Sequence, residues 1–306
     1  MSLSNVLPDG GLRQHPLVRN LREGIALIAN DRTTLFYLSF LVFVILLGAI
    51  GPEIAPYPYD EPMYAGGEPL LSEPPSVTHP LGTTSSGYDV FSRILVGARP
   101  TVITGLLGGT IIITIGSAIG ITAGYVGGRT EDVLMRITDI AYGVPLIPFA
   151  IVLLALFGVG FLMSVVVIGL LLWRGPARVL RSQVLQIRQR PFILAAKATG
   201  ASTPRIIYKH ILPNVAPMAI MYFALGIGLS ILLQAGLAFI GVSNPLVPSW
   251  GIMIRNAYTS GQMTTTWWWS ISPGIFISLT VMSTIMLGRR YEELVGQTDG
   301  EAVATA

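Results

Sequence analysis

Residues 140–173 read IAYGVPLIPFAIVLLALFGVGFLMSVVVIGLLLW, 34 residues without a charge between Asp139 and Arg174. A helix crosses the hydrocarbon of a bilayer with about 20 apolar residues. The stretch is therefore too long for one span and too short for two. Gly158 and Gly160 divide it. Two spans fit if the first begins near Val133 and the second continues past Arg174.

Working outward, the same criterion finds a first span over Thr33–Pro52, after a polar stretch too long and too rich in Asp, Glu and Pro for a signal-peptide n-region. No A-x-A-like cleavage site follows, so this span is read as uncleaved. A second span lies in Pro100–Gly128. The charge-free run from His210 to Ile254 holds one span, about 213–241, followed by a loop, because Asn244-Pro245-Leu246-Val247-Pro248 is a poor helix interior. The last span starts near Thr266. The total is six. Lys and Arg number 16 in segments 1–34, 127–136, 174–212 and 289–306, against 3 in 53–99, 158–164 and 241–266. That bias predicts both termini in the cytoplasm.

Composition agrees. Of 306 residues, 52% are hydrophobic and 11% charged, with a mean hydropathy of +0.65. Soluble domains carry about 25% charged residues, so this is expected to be an all-α, polytopic membrane protein with six transmembrane helices. A disordered chain, a coiled coil and a nucleic-acid-binding domain are excluded. There is no cysteine, and His15, His79 and His210 have no metal-ligand spacing. No Gly-x-x-x-x-Gly-Lys-Ser/Thr phosphate loop and no Gly-x-Ser-x-Gly elbow occurs. No cofactor is expected, and catalysis, if any, belongs to partners.

The segment 174–212 carries eight basic residues and no acidic one. Pro191 suits the first turn of a helix, which Gly200 ends as a C′ residue. Thr203 as N-cap and Pro204 at N1 start a second short helix to Ile211, and Pro213 breaks the line before span five. Ala195, Ala196, Ala198, Gly200 and Ala201 give the first helix a smooth surface. Two readings fit the spacing equally: a helix lying on its own bundle or on anionic lipid, and a docking site for another protein.

The order Leu194-Ala195-Ala196-Lys197-Ala198-Thr199-Gly200-Ala201-Ser202, then Ile206-Ile207-Tyr208-Lys209-His210-Ile211-Leu212-Pro213-Asn214, resembles the EAA loop of ABC importer permeases. Ala195-Ala196, Gly200 and Leu212-Pro213 fall at matching positions. Leu194 stands where Glu is common, and His210 where Ile is common. His79-Pro80-Leu81-Gly82-Thr83 with Gly87, Asp89-Val90, Ser92-Arg93 and Gly97-Ala98-Arg99 resembles the pre-span segment of the dipeptide/oligopeptide/nickel branch; Thr84 and Tyr88 stand where Asp and Arg are frequent. Ala123-Gly124-Tyr125-Val126-Gly127-Gly128 with Asp132, Leu134-Met135-Arg136 and Asp139-Ile140 resembles its turn between spans two and three. Phe239-Ile240-Gly241, Pro248-Ser249-Trp250-Gly251, Trp267-Trp268 and Pro273-Gly274 resemble its end.

The resemblance covers about 79–295 and is to the second permease of that branch. It implies a MetI-like permease core in the cytoplasmic (inner) membrane of a prokaryote. It also implies two ATP-binding subunits, a second homologous permease and an extracytoplasmic solute-binding protein, with a short peptide or related solute as cargo. ATP hydrolysis is then expected on the separate subunits, docked on Leu194, Ala195, Ala196, Gly200, Ala201 and Pro213. The expected organisation is a tail, first span and outer loop over 1–78, a five-helix core over 79–295 with the coupling loop at 190–213, and a tail over 296–306. A stand-alone ion-coupled secondary transporter is the competing function. It needs internal repeats and buried ion ligands, and there is no acidic residue from Ile140 to Tyr291.

Four further features have open readings. Arg136 and Asp139, spaced i, i+3, are expected to pair. Pro145 and Pro148 either kink span three or only adapt its packing. Gly116, Gly120 and Gly124 favour close helix contact, within the chain or with a partner. Trp267, Trp268 and Trp269 fit an interfacial belt.

Overall fold

The computed structural model describes residues 31–304, with side chains as far as Glu293. The basic residues of segment 1–30 and the side chains of the tail beyond Glu293 lie outside it. The elements in order are α1 (Arg32–Ile54), a short hairpin of β1 (Tyr64–Ala65) and β2 (Glu68–Pro69), α2 (Val90–Val126), α3 (Gly128–Gly143), α4 (Leu146–Phe157), α5 (Phe161–Leu172), α6 (Arg174–Ile187), α7 (Pro191–Ala198), α8 (Thr203–Ile206), a π-helical turn (Ile207–Ile211), α9 (Leu212–Ile240), α10 (Trp250–Thr259) and α11 (Trp267–Ala304). Five helical runs are each long and apolar enough to cross a membrane, and the bent pair α3–α4 meets the same measure only when its two arms are taken together. The fold is an all-α, multi-pass bundle. Segments 55–89 and 241–266 lie at one end (the upper end), and segment 188–211 lies at the other.

Helix α1 begins at Asp31, whose Oδ1 accepts from the Thr33 N–H at 3.0 Å and whose Oδ2 accepts from the Thr34 hydroxyl at 2.5 Å. These bonds favour the carboxylate and hold the Asp31 carboxyl below its ordinary range. Helix α2 starts ten residues before the charge-free stretch does. Its cap is the fully buried Asp89, which accepts from the Ser92 N–H at 2.7 Å and is held by His79 Nδ1 at 2.8 Å. The two charges inside its first turns are partnered. Arg93 donates to the Tyr59 carbonyl at 2.8 Å, and Arg99 pairs with Glu53 at 2.8 Å while donating to the Gly48 and Ala49 carbonyls. Partnered arginines at a helix end do not mark where the span begins.

The α2 glycines settle between the two packing readings. A Cβ on Gly116 would lie 2.7 Å from Pro176, one on Gly120 2.5 Å from the Ala177 carbonyl, and one on Gly124 2.8 Å from the Arg181 carbonyl. The stripe is where α2 and α6 touch backbone to backbone, within this chain. Gly105 and Gly109 face Ile227 and Ile231 of α9 in the same way. Without Cβ atoms the axes approach closely and dispersion contacts multiply.

Span three does not run straight. Helices α3 and α4 meet at 93°. Val144 sits extended at φ −82, ψ 123 because the ring of Pro145 excludes it from the α region. The two prolines thus do more than adapt packing: they break the span. Span four continues past Arg174 as expected, with α5 and α6 forming one run from Phe161 to Ile187.

Pro213 does not break the line. The chain is helical without interruption from Thr203 to Ile240. In an α-helix the Pro213 ring would strike the Lys209 carbonyl, and the π turn at Ile207–Ile211 widens the helix at that point. The Leu212 N–H reaches the Ile207 carbonyl, and Asn214 Nδ2 donates to the His210 carbonyl at 2.7 Å.

Helix α10 lies in segment 241–266, where the sequence predicts a loop. Its start is pinned by Trp250, fully buried, whose indole N–H donates to the Ile94 carbonyl at 3.0 Å. The three tryptophans at 267–269 do not act alike. Trp267 is half exposed, as an interfacial residue would be, but Trp268 and Trp269 are buried, and Trp268 donates to the Thr83 carbonyl at 3.1 Å. Trp268 thereby fastens the upper loop to the bundle. Trp250→Phe keeps most of the apolar volume and deletes the N–H, so it is expected to cost about 1–2 kcal/mol, read as a lower unfolding midpoint in detergent.

Candidate functional site

Two neighbouring regions at the lower half of the bundle carry the functional geometry. The first is α7 and the turns after it. Arg190 caps α7 with extended backbone, and Pro191 fills its first turn. Ile193 is fully buried among Leu180, Val184 and Ile187 of α6, Ile206, Ile211 and Val215. One side chain thus anchors the short helix to the bundle. Lys197 Nζ lies 5.2 Å from the centroid of the Tyr125 ring, a second tie. Gly200, at φ +79, lets its own N–H bond the Lys197 carbonyl at 3.0 Å and the Ala201 N–H bond the Ala196 carbonyl at 3.1 Å. This Schellman closure fixes the end of the helix. The following cap is Ser202, one residue before the expected Thr203; Thr203 and Pro204 open the next turn.

Of the six residues singled out in the sequence, Leu194, Ala195, Gly200 and Pro213 are exposed. Ala196 and Ala201 are half-buried against the cluster that holds Ile193. The segment therefore has two faces. One rests on its own bundle. The other presents Phe192, Leu194, Ala195 and Ala198 outward. This outer face is small, apolar and rigid, and it holds no acid–base or nucleophilic constellation.

The second region lies where α6 meets the broken span. Three arginines, at i, i+4 and i+7, point along one side of α6 toward α3. Arg181 Nε donates to Glu131 Oε1 at 2.7 Å, and Arg178 Nη2 bonds Asp139 Oδ1 at 2.6 Å. Arg174 Nη1 donates to the Ala141 carbonyl and reaches the Val144 carbonyl at 3.4 Å. Arg178 and Arg174 also cover the Tyr142 ring, at 4.2 and 5.0 Å from its centroid. The expected Arg136–Asp139 pair does not form, because Asp139 turns to Arg178 on the facing helix. Three of the eight basic residues of the segment are thus bound to α3. A cleft of about 220 Å³ opens beside Arg174, between Tyr142, Ile112, Tyr222 and Gly226.

Arg174 is the residue the sequence reading missed. It was counted among the eight basic residues, with no role of its own. The available signal is chemical: Pro145 and Pro148 offer no N–H to the carbonyls four residues back, and in an apolar setting those carbonyls need an outside donor.

With this geometry in view, comparison with known proteins is informative. A family model described as binding-protein-dependent transport system inner membrane component matches residues 116–296. The chain is 36% identical over 265 residues to the dipeptide transport system permease protein DppC of Bacillus subtilis (strain 168), covering 85% of this chain and 80% of that protein. It is 32% identical over 262 residues to the oligopeptide transport system permease protein OppC of Haemophilus influenzae, covering 85% and 82%. It is 35% identical over 273 residues to the glutathione transport system permease protein GsiD of Pectobacterium atrosepticum, covering 88% and 86%.

Proposed function

The chain belongs to the family of binding-protein-dependent transport system inner membrane components, and from that premise we propose that it forms half of the translocation pathway for short peptides or a related solute. The solute is delivered by an extracytoplasmic binding protein. A second, homologous permease supplies the other half, and two separate ATP-binding subunits hydrolyse ATP. Both termini lie in the cytoplasm, on the side of the basic lower end. Residues 1–78, 79–295 and 296–306 act respectively as entry segment with outer loop, permease core and tail.

The observation that carries this reading is the two-faced α7. A coupling element must move with the spans and still offer a surface to another body. Ile193 fastens α7 to α6 and α9, and the Schellman closure at Gly200 fixes the end of α7. The exposed Phe192, Leu194 and Ala195 remain open for a partner. Closure of the ATP-binding subunits pushes this face, and the spans rock between inward and outward states. The peptide class rests on the relatives, which are named for dipeptide, oligopeptide and glutathione transport.

Isolating the tagged chain from native membranes in mild detergent tests the assembly. An ATP-binding subunit and a second permease are expected to accompany it. A chain that purifies alone and binds solute by itself would return the ion-coupled alternative.

A further inference from the structure

We propose that Arg174 is the positioning residue that holds the break in the third span, and that through it α6 relays displacement of α7 to that break. Two backbone donors are missing at the break. In a continuous helix the Ala141 carbonyl would accept from residue 145 and the Val144 carbonyl from residue 148. Both are prolines. The prolines create the break and also strip two carbonyls of their helical partners, so that each needs a donor from elsewhere. The Arg174 guanidinium is directed at both carbonyls through one nitrogen. It stacks on Tyr142, between those two residues, and shares that ring with Arg178, itself fixed to Asp139. The partners of this guanidinium are the hinge itself.

The relay follows from continuity. Arg174 lies within the unbroken run Phe161–Ile187, whose lower end packs around Ile193 of α7. A push on α7 moves α6 as a rod, which grips α3 through Arg181 at Glu131 and Arg178 at Asp139 and reaches the break itself through Arg174. Tyr142 and Arg174 also wall the 220 Å³ cleft, so a change of angle reshapes that cleft. The relay rests on the docking role proposed for α7; the holding of the break does not.

The chain has no cysteine, so spin labels can be placed at Ile137 and Leu156, exposed positions on the two arms. The complete transporter in lipid nanodiscs is measured by pulsed electron resonance, without nucleotide and with ATP and vanadate. The unsubstituted protein is expected to give one narrow distance in each state, and the two distances differ. Arg174→Leu is expected to broaden the distribution at least twofold and to abolish its response to ATP. With Pro145→Ala and Pro148→Ala together, the N–H donors return and the distance lengthens. Arg174→Leu added to that background then changes the width little, a rescue that a generally damaged fold would not show. Arg174→Leu leaving width and response unchanged overturns the proposal. Broadening in the proline-free background equal to that in the native one also overturns it. An unsubstituted transporter whose distance ignores ATP overturns the coupling reading and the relay with it, while the holding role is still decided by the Arg174 variants.

Discussion

Replacing Ala195 by Asp is expected to abolish ATP-driven uptake while leaving the permease folded. Ala195 is exposed on the outer face of α7, whereas Ala196 packs against the cluster around Ile193. The substitution puts a charge into a small, apolar surface. If that surface is covered by a partner, the carboxylate loses its water without gaining a cation, and such groups at the centre of an interface cost about 2 kcal/mol or more. That corresponds to about a thirtyfold weaker association. Reconstituted vesicles with binding protein and solute read the effect as lost uptake, and thermal unfolding of the purified permease supplies the control. Ala196→Asp is a poorer test. Ala196 is half-buried at the base of the Schellman closure, so a charge there damages the anchoring of α7 as well as any docking. Uptake unchanged in Ala195→Asp would remove the outer face from the mechanism.

The second large effect is expected at Gly120. A Cβ at this position would meet the Ala177 carbonyl at 2.5 Å, with the Arg181 N and Leu180 Cβ both at 3.1 Å. Two of these three are backbone atoms of α6 and cannot swing aside. Gly120→Leu must push α2 and α6 apart, and with them the arginines that grip α3. Overpacking of this kind costs about 1–3 kcal/mol or more, and here it also breaks the contact that aligns Arg174, Arg178 and Arg181. The expected result is a clearly lower unfolding midpoint and loss of assembled transporter. Gly274→Ala is the matched control. A Cβ there meets nothing within 4 Å, and Ala is the better helix former, so that change is expected to be neutral or to stabilise by up to about 1 kcal/mol.

How much of this was legible in the sequence differs from element to element, for physical reasons. Five of the spans were legible as long stretches almost free of charge. The start of α2 was not, because Arg93 and Arg99 sit inside the helix with partners supplied by residues some 35 to 50 positions away. The proline pair announced a disturbance in span three, but its angle depends on Arg174, Tyr142 and Asp139 meeting across two helices, which no local pattern encodes. Helix α10 escaped notice because Trp250 stabilises it by filling a hole against Ile94, a tertiary effect on a short segment next to proline-rich chain. The turn at Pro213 was misjudged because a π turn can absorb a proline that an α-helix rejects. The short helix α7, by contrast, was readable from Pro191 and Gly200 alone, since both act through local backbone chemistry.

The account stands or falls on what touches the outer face of α7. A single cysteine in place of the exposed Leu194, carrying a short photoactivated cross-linker in native membranes, answers that directly. The expected product is a covalent adduct with an ATP-binding subunit, reduced in yield when Ala195→Asp is also present. An adduct only with lipid, or with another copy of this chain, would contradict the account and leave α7 as a helix resting on its own bundle.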